Sequence, residues 1–451
     1  MTTILSHHTV GRRDRLVWLL SALGVLTFLA SSTSAQPADE PAEALPPSFR
    51  LKGEKSPALE INEPLITEQA LQTFQRKQSD FNKALRAGEI TASSRKQIED
   101  GIAARMLEVT IPERRHNATT LRKVLMRDIG TYAGYNETNP RLKRKFKEMV
   151  LDEVLKNSQL LLKNHLKARV FAISIVKDLN IVEEDLRTQT PAEPYLPALP
   201  FMRAVVNDPE QDPAVKIIAL QGIKRILESD QLKIPRNDLL QTAEDLVKEL
   251  KDPDSYYWFQ QNLIRAIAST KIDVDRADKP FIVQELAQVM SDPKRHPLVR
   301  CEAAYTIPRV PLSNSVNLSV IAWQIARLTQ EMTVEYNKNP EQFWWQSAFF
   351  RLYAAFQPIR KDSTTALIPI SKTPPMAAHQ ANVLGAYQQA LPVIKAVFEN
   401  RGGIKLEPAV TAPLSDWLKA NDPGSSSVYT NGPPITRNIQ QSTTSVNTVG
   451  P

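Results

Sequence analysis

Six histidines and one cysteine are the side chains best suited to chemistry in this 451-residue chain, and their spacing argues against it. His7, His8, His116, His165, His296 and His379 are scattered. None forms HExxH or another spacing that sets two metal ligands on one helix face. Cys301 stands alone, so neither an intramolecular disulfide nor a CxxC metal pair can form. It falls inside an apolar helical pattern, where a thiol packs as a small hydrophobe. GxSxG, GxxxxGKS/T and GxGxxG are all missing from the sequence. Acidic pairs such as Glu183-Glu184 read as solvated helix surface. No catalytic residue, cofactor or metal is therefore expected. Distant residues could still converge, so a polymer-modifying enzyme or hydrolase stays as the alternative to a binding protein.

Two constellations suit binding. Residues 141–169 carry nine Lys/Arg against Glu148, Asp152 and Glu153. Lys143, Arg144, Lys145 and Lys147 form the densest part of this basic ridge, which could meet an acidic protein, an anionic polymer or lipid headgroups. The second is FWWQSAFFRLYAAF. Trp345, Phe349, Tyr353 and Phe356 step by four, four and three, one helix stripe. Trp344 directly precedes it as a further binding candidate, while Phe343 and Phe350 lie off the line and give more aromatic surface than one seam needs. Such surplus could grip a peptide or a sugar. A third set, Tyr256-Tyr257-Trp258-Phe259, opens a helix further upstream. Each has a plain packing alternative: a solvated face for the lysines, and contacts between neighbouring helices for the rings.

The elements that must position these residues read as helices. The 42% hydrophobic content supports a substantial core, and 14 glycines are few for a fold of tight βα turns. Periodicity places helices over 66–85, 94–110, 117–132, 141–157 and 165–179, with Asn139-Pro140 as a cap and first turn. From about Leu199, four segments share one layout: an apolar helix, a polar break with Asp-Pro or Asn-Pro, and a second apolar helix. The break prolines are Pro209, Pro253, Pro293 and Pro340, spaced by 44, 40 and 47, within the range of two-helix repeats. Each pair has a face too apolar to stand alone, and stacking on a neighbour buries it.

This pattern resembles the HEAT family of helical repeats over residues 199–360. The segment LAQVMSDPKRHPLVRCEAAYTI carries it best, with Asp292-Pro293 in the turn and Val299, Arg300, Ala303 and Ala304 on the second helix. The first unit offers Val215, Lys216, Ala219 and Leu220 at matching places. The resemblance implies an all-α, right-handed α–α superhelix that binds macromolecules, and it carries no catalytic residue.

The N-terminus reads as an export signal. GRRDR at 11–15 precedes LVWLLSALGVLTFLA at 16–30, and small residues follow, with a cut expected after Ala35. The apolar run is shorter than the ~20 residues that span a bilayer comfortably. An uncleaved anchor at 16–30 is the alternative outcome. The resulting organisation is a signal peptide over 1–35, a disordered Pro-rich linker over 36–61 and an N-terminal helical region over 62–198. HEAT-like repeats over 199–360, a C-terminal helical cap over 361–420 and a disordered tail over 421–451 complete it. The formal charge of +7 falls to +5 without the signal, whose three arginines face one aspartate. That mild charge permits contact with polyanions without calling for one. The expected role is a protein-binding scaffold, periplasmic or secreted. An anionic envelope polymer or a membrane surface is a further candidate partner, and nucleic acid is the least expected.

Overall fold

A computed structural model describes residues 63–435, apart from 361–362, 401–402 and 425–426. The expected signal peptide and linker, and the tail beyond 435, lie outside these residues. What is described is almost wholly helical. Five helices come first: α1 (Glu68–Ala87), α2 (Ala92–Leu107), α3 (Ala118–Arg127), α4 (Pro140–Leu161) and α5 (Leu166–Val176). Asn139 caps α4 as its sequence indicated, its Oδ1 accepting from the Arg141 and Leu142 amides at 3.0 and 3.4 Å. Gly101 on α2 lets the Phe81 ring of α1 lie against bare backbone. A Cβ there would stand 2.1 Å from the ring.

A short antiparallel pair, β1 (Asn180–Val182) with β2 (Glu193–Pro194), interrupts the helices. Periodicity gave no warning of it, because strands this brief carry no readable alternation.

Helix pairs follow. They are α6 (Ala198–Asn207) with α7 (Pro213–Asp230), α8 (Arg236–Leu250) with α9 (Tyr257–Ser269), and α10 (Phe281–Ser291) with α11 (Pro297–Thr306). The fourth is α12 (Leu318–Lys338) with α13 (Trp345–Phe356). Three of the four turns repeat one local structure. Asp208, Asp252 and Asp292 each use Oδ1 to accept from the amide two residues on, at 2.9, 3.0 and 3.0 Å. These Asx turns satisfy donors freed where the first helix stops, and the following proline blocks its continuation.

The pairs pack in two rows. The second helices follow one another, α5 on α7, α7 on α9, α9 on α11 and α11 on α13. The first helices run α6 on α8, α8 on α10 and α10 on α12. The chain closes with α14 (Leu367–Ile370), α15 (Gln380–Glu399) and α16 (Pro408–Ala420). Helix α15 packs on α12 and α13, and α16 on α12 and α15. One continuous apolar core joins Phe81 near the start to Ile435 at the end. Cys301 lies in it, fully buried, and burial pushes its thiol up to about 12, so it is an inert core residue.

The tail differs from its expected disorder. Residues 427–435 fold back, with Val428 and Ile435 at 0% and 2% exposure. The Asn317 amide donates to the Val428 carbonyl at 2.8 Å, and Gln288 Nε2 donates to the Pro434 carbonyl at 3.2 Å. A polar, low-complexity composition masked two apolar anchors whose burial depends on surfaces formed far upstream.

Candidate functional site

The turns that begin α9, α11 and α13 bring the most distinctive side chains together. The turn ahead of α9 is held both from within its own unit and from the next. Gln260 Nε2 donates to the Pro253 and Ser255 carbonyls at 3.1 and 2.6 Å, fixing the loop ahead of α9. From the next unit, Arg295 donates to Gln260 Oε1 at 2.6 Å and to the Leu250 carbonyl at 2.8 Å. This buried guanidinium thus closes the C-terminus of α8 and clamps the turn of α9, a good use of its fixed fork of donors. Burial opposes its charge, and Asp292 and Glu285 offset that. The same burial pushes the Glu285 carboxyl up.

On this frame the rings form a ledge. Tyr257 stacks on His296, with centroids 4.4 Å apart and planes 15° apart. His296 meets Trp344 at 5.3 Å, and Trp344 meets Trp345 at 4.0 Å. Tyr256 and Trp258 flank Tyr257 at 5.0 and 5.9 Å. Three successive helix pairs are therefore joined by one aromatic column. Its fringe is open: Trp258 is 53% exposed and Phe343, next in chain to Trp344, is 92% exposed. His296 Nδ1 accepts from the Leu298 amide at 3.0 Å, capping α11. Burial lowers its pKa to about 4, so the ring is neutral at physiological pH and stacks as an aromatic.

The structure divides the expected aromatic contacts. Trp344 belongs to the ledge. Trp345 and Phe349 do not, being 3% and 0% exposed and packed edge-on against Tyr336. Trp345 Nε1 also donates inward to the Asn339 carbonyl at 2.7 Å. The stripe of four-residue steps that marked them is a core seam, so they are unavailable to a partner. Tyr353 is half-buried and faces Tyr387 of α15 at 6.4 Å.

The basic ridge is likewise divided. Lys143 and Lys145 are exposed near the start of α4. Arg144 donates to Glu193 at 2.8 and 3.2 Å and reaches Glu148 at 3.3 Å. Lys147 is buried against Glu183 at 3.1 Å, and burial pushes its ammonium down. Glu183 and Glu193 come from the β1–β2 region, outside the 141–169 window that made the charge look uncompensated.

No known family model matches this chain, and no curated protein resembles it.

Other chemistry-bearing groups give less. Ser319 Oγ lies 2.9 Å from His379 Nδ1, but the third member is the Asn382 amide at 3.0 Å and not a carboxylate. Among the described residues no group of three or more His, Cys, Asp or Glu could hold a metal ion. No described helix is long and apolar enough to cross a membrane.

The contribution of His296 was missed in the sequence, where it counted as one scattered histidine. Repeat register could have found it. Counted from each turn proline, Tyr257 and Trp344 fall four residues on and His296 three, at the mouth of each second helix.

Proposed function

We propose that this chain is an exported scaffold of HEAT-like repeats, a right-handed α–α superhelix that holds a protein partner at the cell envelope. The observation that carries the binding reading is the ledge at Tyr256, Tyr257, Trp258, His296, Phe343 and Trp344. Of these, Trp258 and Phe343 are exposed and the other four partly buried; large aromatic side chains are mostly withdrawn from water, and exposed ones beside a packed aromatic column mark an interaction surface. Such residues dominate the energetics of protein interfaces. The two rows of helices and the repeated Asp-Pro turns support the repeat assignment. The basic, apolar and small-residue succession over 11–36 supports export to a periplasmic or secreted location.

Photocrosslinking tests this reading. A photoreactive residue replaces Trp258 or Phe343 in the full chain made in its host, and another replaces Leu160, exposed on α4 well away in sequence. Reproducible capture of one envelope protein from both ledge positions, and not from Leu160, is the expected result. Equal capture from all three positions, or none from the ledge in exported and folded protein, rejects it.

A further inference from the structure

The second helices of the last three pairs carry an uneven share of charge. Residues 257–269, 297–309 and 345–356 hold Arg265, Arg300, Arg309 and Arg351 against Glu302 alone. Their first-helix mates, 236–250, 281–291 and 318–338, hold four Lys/Arg against seven Asp/Glu. The basic excess survives a wider count. With the turns and loops at both ends, over 251–280, 292–317 and 339–360, there are eleven Lys/Arg against eight Asp/Glu. Several of those acids are already engaged. Asp273 pairs with Arg236 of α8 at 3.3 Å, and Asp275 accepts from the Ala277 and Lys279 amides of its own loop at 2.8 and 2.9 Å. On the α7 side, Glu228 is paired with Lys224 at 2.8 Å. Arg300 leaves this face too, reaching the Met290 carbonyl at 2.9 Å and Glu331 of α12.

Hydrogen bonds link the remaining cations across the row. Arg265 of α9 uses Nε and Nη2 on Glu302 of α11 at 2.8 and 3.0 Å, and Arg351 of α13 uses Nε on the same carboxylate at 2.6 Å. Arg309 donates to the Ala354 carbonyl of α13 at 3.2 Å and lies over the Tyr305 ring at 3.4 Å. Lys271, exposed just past α9, donates to the Arg309 carbonyl at 3.2 Å. Four cations are therefore tied together over three helices with one carboxylate among them, and that carboxylate is 3% exposed. Arg265 is the open member, its side chain 39% exposed. Its Nη1 takes no part in the triad, and neither does Nη2 of Arg351.

Two guanidinium groups sharing one carboxylate have donors and charge for a second. A carboxylate facing an arginine fork gains orientation as well as charge-assisted hydrogen bonds. A cationic segment would meet repulsion from Arg265, Lys271, Arg309 and Arg351. Ring surface accompanies the charge: Tyr305 lies beneath Arg309, Trp258 precedes Arg265 by two helical turns, and Phe350 beside Arg351 is 41% exposed. Rings among cations suit a polypeptide that mixes acidic and apolar side chains better than a uniformly charged polymer. Packed helix axes lie about 8–10 Å apart, so α9 to α13 spans about 16–20 Å, the reach of about five or six extended residues.

Resting on the scaffold reading above, we infer that the face of α9, α11 and α13 around Arg265, Lys271, Arg309 and Arg351 receives an extended acidic segment of a partner polypeptide, one carboxylate of which sits against Arg265.

The test uses the full chain and three synthetic Leu/Ser peptides of equal length, bearing two glutamates, two arginines or two further serines. Binding is followed by calorimetry. The glutamate peptide is expected to bind saturably, at least about tenfold more tightly than the other two, and more weakly in about 0.5 M salt, as screening requires. Arg265→Gln and Phe350→Ser are each expected to weaken it about fivefold or more, with unchanged helical circular dichroism. Glu302→Gln has the opposite sign. It removes the internal competitor for both arginines, so the glutamate peptide should bind about threefold or more tightly, although the fold itself is weakened. A purely structural triad predicts no such gain, and this variant decides the matter if Arg265→Gln does not fold. Three outcomes overturn the inference: equal binding of all three peptides, preference for the arginine peptide, or glutamate binding unmoved by Glu302→Gln and Phe350→Ser. Inorganic polyphosphate binding more tightly than the glutamate peptide, and responding to the same variants, overturns it in favour of an anionic polymer. If no peptide binds while photocrosslinking from Trp258 or Phe343 still captures a protein, the acidic segment falls and the scaffold stands. If the glutamate peptide binds as expected while the ledge captures nothing, the ledge contact falls and the acidic-segment site stands.

Discussion

Glu302 on α11 is a buried carboxylate shared by two arginines. It is 3% exposed and accepts from Arg265 on α9 at 2.8 and 3.0 Å and from Arg351 on α13 at 2.6 Å. Burial works against its ionisation, yet the hydrogen bond from Arg265 and the charges of both arginines hold its carboxyl below the usual range. One carboxylate thus ties three successive second helices. Neutralising it leaves Arg351, which still donates to Ser347, and Arg265, whose side chain is 39% exposed and reaches water, without their shared carboxylate. Glu302→Gln is expected to lower unfolding free energy by about 1–3 kcal/mol at pH 7, measured by urea denaturation. The sign with pH follows from the depressed folded value. The contribution is complete above the unfolded glutamate value of about 4.3 and is lost as pH falls below it through the folded value. The gap between wild type and variant should therefore narrow in acid. A neutral-pH midpoint unaffected by the substitution would mean the triad adds nothing to stability.

Among the helices, α1 and α2 show how a close approach outranks propensity. Glycine inside α2 costs about 1 kcal/mol of helix stability relative to alanine, so Gly101→Ala would stabilise an isolated helix. In the folded chain the added methyl would meet the Phe81 ring at 2.1 Å, and Phe81 is itself 2% exposed with little room to retreat. Overpacking of this kind costs typically about 1–3 kcal/mol. Gly101→Ala is expected to lower the thermal midpoint, and a rise would show that α1 yields at small cost. The Asp-Pro turns give the complementary case, where local chemistry and tertiary need agree. The aspartate closes its Asx turn, the proline ends the first helix, and the second helix starts with its rings or caps on the shared edge.

For the molecule as a whole, packing runs along the two rows, each helix pair resting chiefly on those next to it. The segment 427–435 is an exception because it reaches back by more than 100 residues: Gln288 and Pro434 are 146 apart in sequence. It pins the loop before α12, through the Asn317 amide, to α10. Full burial of an apolar side chain is worth about 1.5–3 kcal/mol, and Val428 and Ile435 supply two. A chain ending at 426 is expected to lose roughly 3–5 kcal/mol and to exchange its 315–317 amides faster, with those of α2 unchanged. Hydrogen exchange with mass spectrometry reads both. Unaltered exchange at 315–317 would show that the segment is decoration.

What the sequence by itself determined is what depends on neighbours within a few residues. Apolar spacing dictated helices, because a 3.6-residue stripe buries well only in that form. Asn139-Pro140 and the Asp-Pro turns dictated where helices begin and end, because caps act within two or three positions. The surplus of rings beside Trp345 was legible as well. Tertiary structure alone decided which residues of these elements face water. Trp344 and Trp345 are adjacent and equally aromatic, yet the rotation of about 100° between successive helix positions leaves one on the ledge and sinks the other in the core. Lys147 looked like part of an open basic ridge until Glu183 was brought to it. His296 had no visible partner until Tyr257 and Trp344 closed on it. These outcomes rest on contacts between segments dozens of residues apart, whose pairing is fixed by the packing of whole helices and not by local pattern.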